Sequence, residues 1–144
     1  MKKRNLKGFT LIELIVVIAI IGVLAAILVP AMMGWVRKAS INAANANAKQ
    51  VFTSAQTYAQ ERETAGDSAI VDADMKKAVK ASLNGADYDF SVTWNSTDKF
   101  TVQAAAAKNG GYCGGYPNPC PNDTKVTDLA KAVSYAAVSG SKWK

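Results

Sequence analysis

Apolar residues are spread unevenly along this chain. Residues 9–36 (FTLIELIVVIAIIGVLAAILVPAMMGWV) hold 23 hydrophobic positions out of 28, and Glu13 is their only charge. With no polar face to interrupt them, a helix here is apolar all round. Leu14 to Val36 is 23 residues without a charge. At ~1.5 Å per residue this segment reaches ~34 Å, enough to cross a hydrocarbon core of roughly 30 Å. The pattern then becomes amphipathic. Ile41, Ala44, Ala48, Val51, Phe52, Ala55, Tyr58 and Ala59 recur at steps of three and four, opposite Asn42, Asn45, Asn47, Lys49, Gln50, Gln56 and Gln60. One helix is expected from Phe9 to about Arg62, ~80 Å long, with Gly66 as its breaker. Pro30 removes one backbone hydrogen bond, which predicts a kink or local melting near residues 26–30.

Shorter elements follow. Residues 72–83 read as a helix capped by Asp72 or Asp74, with Met75, Val79 and Leu83 inward and Asn84-Gly85 stopping it. Residues 88–94 alternate, with Tyr88, Phe90, Val92 and Trp94 on one side. Residues 99–104 alternate likewise through Phe100, Val102 and Ala104. The turn-rich link Asn95-Ser96-Thr97-Asp98 makes these an antiparallel hairpin, its aromatic side on the long helix. Residues 127–138 fit a helix capped by Asp128, with Leu129, Ala132, Val133 and Ala136 inward. They fit almost as well a strand through Val133, Tyr135 and Ala137; helix is preferred. The fold class is α+β: a long N-terminal helix packed on a small antiparallel sheet.

Composition limits the chemistry. The chain has 144 residues, two cysteines and no histidine. One copy cannot build a Cys/His zinc site, and a Ser-His-Asp or Cys-His pair is impossible. No glycine-rich phosphate loop, paired carboxylates or calcium loop is recognisable, so the sequence offers no catalytic constellation and implies no cofactor or metal. Beyond residue 36, 21 of the 46 hydrophobic residues are alanine, enough for a small core only. The formal charge of +6 invites a nucleic-acid reading, but Lys2, Lys3, Arg4 and Lys7 all precede the apolar stretch and only Arg37 and Lys38 directly follow it. That asymmetry predicts residues 37–144 outside the cytoplasm. Lys76, Lys77 and Lys80 read as a solvated helix face. Asn95 and Asn122 each open a glycosylation sequon, a pattern frequent by chance.

Glu13 stands out. Ionisable residues within membrane spans are costly and usually have a partner, unless the side chain snorkels to the headgroups. The string Lys7-Gly8-Phe9-Thr10-Leu11-Ile12-Glu13-Leu14 resembles the prepilin signal of type IV pilins and type II secretion pseudopilins: a short basic leader, Gly, Phe, then Thr-Leu-Ile-Glu running into an apolar helix. The likeness covers roughly residues 1–60, and Gly22 and Pro30 fall where that family commonly has a helix-loosening glycine and proline. It implies a leader (1–8) cut between Gly8 and Phe9 by prepilin peptidase, then methylation of the Phe9 amine. It implies a membrane and polymerisation segment (9–36) and an extracytoplasmic head (37–144). Glu13 would neutralise the Phe9 amine of a neighbouring subunit. Cys113 and Cys120 bracket a short loop; outside the cytoplasm a disulfide is the natural reading, and many of these pilins carry a C-terminal disulfide loop.

The function implied is a structural subunit that polymerises into an extracellular type IV pilus, serving adhesion, or twitching motility where a retraction motor exists. Its partners would be copies of itself, the peptidase, and the assembly platform with its ATPase. It would reside in the cytoplasmic membrane before assembly. A pseudopilin of a secretion or DNA-uptake system is the alternative, and a conventional signal peptide or simple anchor the blander ones. Tyr112, Tyr116, Trp143 and Trp94 would stack on surface polysaccharide if exposed. Removing the leader leaves 13 basic against 11 acidic side chains, so no nucleic-acid surface is indicated.

Overall fold

The computed structural model describes residues 8–84, 88–95, 100–121, 124 and 126–137. The chain divides into two units, one ending at Val36 and one beginning at Arg37. The first unit holds the start of helix α1 (Leu11–Thr64), and every described residue before Arg37 is exposed. Helical assignment continues through Gly22 and Pro30, so the local melting expected near residues 26–30 is not seen.

In the second unit α1 buries Ile41, Ala44, Ala48, Val51, Ala55 and Ala59, which are the non-aromatic positions of the anticipated apolar face. Phe52 and Tyr58 flank them, half-buried. The helix ends two residues later than expected. Gly66 adopts φ +83°, its N–H donates to the Glu63 carbonyl at 3.1 Å, and the Asp67 N–H donates to that of Arg62 at 3.1 Å. This paired arrangement satisfies the carbonyls that a helix end leaves open.

Helix α2 (Asp72–Ser82) buries Met75 and Val79. Its cap departs from expectation. Neither Asp72 nor Asp74 takes the position; Val71 does, in extended conformation and without a side-chain cap bond. The Asp72 carboxylate instead accepts the Trp94 indole N–H at 3.2 Å, which ties α2 to the sheet. Asn84, at φ 53°, follows the helix end.

Three antiparallel strands form one sheet in the order β1 (Phe90–Trp94), β2 (Val102–Asn109), β3 (Tyr112–Tyr116). Phe90 pairs with Ala107 and Val92 with Ala105, but the register slips at Thr93/Trp94, where Thr93 faces Ala104 and Trp94 faces Val102. Gln103 is the extra residue. A bulge reverses side-chain parity, so Val102 joins the face of Ala105 and Ala107 rather than that of Ala104 and Ala106. The expected alternation of Val102 with Ala104 is corrected accordingly. Four consecutive alanines, Ala104–Ala107, are fully buried because both faces of β2 are covered. Ala105 and Ala107 pack with Ala48, Val51, Ala55, Met75 and Val79; Ala104 and Ala106 pack with Cys113, Val126 and the last helix. That helix, α3 (Leu129–Ala137), settles the choice left open for residues 127–138. Asp128 caps it, its Oδ1 accepting the N–H groups of Ala130 (2.9 Å) and Lys131 (3.2 Å).

Candidate functional site: the assembly end of the long helix

Thr10 and Glu13 build the start of α1. The Thr10 N–H and hydroxyl both donate to Glu13 Oε2, at 2.8 and 2.7 Å, and the Glu13 N–H donates back to Thr10 Oγ1 at 3.4 Å. This is a reciprocal capping box, satisfying donors at a helix N-terminus that have no intrahelical acceptor. The sequence reading placed Glu13 in a role between subunits and missed this local one, although Thr-x-x-Glu ahead of an apolar run is its signal. Phe9 is 91% exposed, beside an exposed Gly8. A Cβ on Gly8 would meet nothing within 4 Å, so no demand for glycine arises within the chain itself. Residues 1–7, with the four leader cations, lie outside the described residues.

Beyond the box runs an unbroken apolar surface. Ile12, Leu14 to Ile18, Ile20, Ile21, Val23, Leu24 and Ile27 to Val29 are large side chains with no cover in the isolated subunit. A helix this long and apolar that nothing covers needs lipid or copies of itself around it.

The second unit contributes a different device. Asn45, assigned from sequence to the polar face, is half-buried and faces the C-terminal loop. Its Oδ1 accepts the N–H of Cys120 at 2.9 Å and of Gly115 at 3.1 Å, and its Nδ2 donates to the Cys120 carbonyl at 2.8 Å. Gln56 acts likewise about three turns on, its Oε1 accepting the Val102 N–H at 3.2 Å. Two amides on the helix thereby close backbone groups of the sheet and loop. We expect Asn45→Ala to cost about 2–3 kcal/mol, since it strands partly buried donors, measured as a lowered urea midpoint of the detergent-solubilised chain. An unchanged midpoint would show that water replaces the amide.

The structure does not show the expected disulfide. Cys113 and Cys120 are both buried in one apolar cluster with Ile41 and Val126. The Cys120 thiol lies against the carbonyls of Pro121 (3.7 Å) and Thr124 (3.8 Å). The loop is held by Asn45 and by the Cys113 N–H donating to the Val126 carbonyl at 2.7 Å. Burial pushes the Cys113 thiol above its usual range. Reduced protein should therefore resist alkylation at neutral pH until unfolded. It should also lose stability as pH rises past about 8.5, where the unfolded thiol ionises and the folded one does not. Fast labelling of both thiols in the native state would contradict this.

The aromatic residues considered for polysaccharide stacking are mostly spent on packing. Tyr116 tilts against Phe52, with ring centroids 4.9 Å apart. Trp94 and Tyr112 are half-buried against the two core clusters, and Trp143 lies outside the described residues. A shallow groove of about 530 Å³ between α1 and α2, lined by Lys49, Thr53, Ser54, Ser82 and Asn84, gathers no reactive pair. Among the described residues no cluster of three potential metal ligands occurs.

Comparison with known proteins agrees with the exposed helix. Residues 3–29 match a family profile described as the prokaryotic N-terminal methylation motif. A fimbrial protein of Moraxella nonliquefaciens is 38% identical over 121 residues, covering 71% of this chain and 77% of its own. The chain belongs to the type IV pilin family. The type IV major fimbrial protein FimA of Dichelobacter nodosus is 34% identical to this pilin over 98 residues, 68% of this chain and 58% of the relative. The type II secretion system core protein G of Pseudomonas aeruginosa is 38% identical over 58 residues, or 40% of this chain and 41% of its own. No solved structure matches. The long α1 helix with its three-stranded antiparallel sheet is the α+β arrangement expected of a pilin.

Proposed function

We propose that this pilin is a structural subunit, not an enzyme, which polymerises through residues 9–36 into an extracellular type IV pilus for adhesion or twitching motility. The observation that carries the reading is the uncovered apolar helix, opened by Gly8-Phe9 and punctuated by Glu13. Residues 1–8 are the leader. Prepilin peptidase cuts after Gly8 and methylates the Phe9 amine; the small residue lets the protease approach the backbone. The apolar segment holds the subunit in the cytoplasmic membrane until the assembly platform and its ATPase extract it. Glu13 then exchanges its local partner, Thr10, for the Phe9 amine of a neighbour. Gly22 and Pro30 give that helix its points of weakness during packing. Residues 37–144 form the exported head.

Likeness to a secretion-system core protein keeps a pseudopilin as the second reading, but that likeness spans only 40% of the chain, whereas the fimbrial relative spans 71%. Imaging separates the two. Long surface fibres that bind an antibody against the head support the pilus; a producing cell with none supports a short secretion or uptake filament.

A further inference from the structure

We propose that Trp35 is a lipid-headgroup anchor, fixing the depth at which the unassembled subunit sits in the outer leaflet of the cytoplasmic membrane. The inference rests on the membrane reading above and adds the residue that sets its outer boundary. Trp35 is 79% exposed, the most exposed large apolar side chain after Phe9 among the described residues. Partial burial begins at Arg37, and the first fully buried residue among those described is Ile41. Among the described residues its indole N–H has no hydrogen-bond partner. An indole with an open N–H on an apolar helix belongs at a bilayer surface, where the ring meets acyl chain and the N–H meets ester or phosphate oxygen.

Length and charge agree on the depth. From Glu13 to Trp35 the helix rises ~33 Å, close to the roughly 30 Å of a hydrocarbon core. Glu13 and Trp35 thus lie at opposite interfaces together. Lys38 follows three positions after Trp35, on the same helix face and one step farther out. It is exposed, and its ammonium complements lipid phosphate. Apolar run, amphipathic ring and cation follow in the order of the bilayer's own layers.

The test uses the full chain in phosphatidylcholine–phosphatidylglycerol vesicles, with Trp94→Phe and Trp143→Phe leaving Trp35 as the fluorophore. Lipids brominated near the headgroup end of the acyl chains should quench it about twofold more than lipids brominated near the chain end, as for an interfacial tryptophan. A depth standard at mid-span, Leu24→Trp in a Trp35→Phe background, should reverse that preference. Stronger quenching of Trp35 by the deep label overturns the anchor, as does vesicle-bound protein whose Trp35 is reached only by aqueous acrylamide. Quenching that fades as protein-to-lipid ratio rises assigns the ring to a second copy of the chain and overturns it too. Failure of the protein to float with vesicles would remove the membrane reading itself.

Discussion

Glu13→Ala should leave the pilin processed and in the membrane yet reduce sheared filament by about a hundredfold or more. The size follows from the cost of one unpaired buried charge. A Phe9 ammonium brought into a packed helical interior without a carboxylate loses about 3–5 kcal/mol. The local role of Glu13 predicts much less: a lost N-terminal cap costs about 0.5–2 kcal/mol and loosens one turn of a 54-residue helix. Glu13→Gln separates the roles. Glutamine can complete the capping box with Thr10, but it carries no charge. If charge pairing governs assembly, Gln fails as Ala does. If Gln restores filaments, the cap was the essential function and the inter-subunit pairing is wrong. Immunoblots of membrane and sheared fractions read both outcomes.

The second large effect lies in the head. Gly114→Ala should destabilise it by about 3 kcal/mol, the upper end of overpacking costs. Strand β3 runs directly over α1 there, and an added Cβ would overlap the backbone of Ala44 and Asn45. No flexible side chain is available to yield; either the strand lifts or the helix moves. Lifting β3 also breaks the Gly115 N–H bond to Asn45, so the glycine and the amide form one contact. The combined Asn45→Ala, Gly114→Ala variant should then lose less than the sum of the single losses. Thermal unfolding in detergent measures this. A Gly114→Ala protein as stable as the parent would mean that the strand does not press on the backbone of α1 at Ala44 and Asn45.

Periodicity made the long helix legible. Ile41, Ala44, Ala48, Val51, Ala55 and Ala59 are buried where a 3.6-residue repeat places them. The hairpin and the Asp128 cap were legible for similar local reasons. Strand β3 was not: Tyr112-Cys113-Gly114-Gly115-Tyr116 carries the glycines of a loop, and its extended form depends on lying against α1. The inward amides were hidden as well. Asn45 and Gln56 look like solvent-facing residues until a backbone N–H is set opposite them. Asp72 misled in the same way, because a tryptophan distant in sequence claims the carboxylate that a local rule assigns to a cap. At the assembly end, Gly8, Phe9 and Glu13 were legible as a motif, because the roles proposed for them involve other molecules; within this fold only the bonds between Glu13 and Thr10 mark the site.

Mass spectrometry of the sheared surface fraction tests the central claim most directly. A mature chain beginning at N-methylated Phe9, with residues 1–8 removed and the rest intact, is the predicted result. A chain beginning elsewhere, such as after Ala31, would remove the apolar helix from the product and contradict assembly through it.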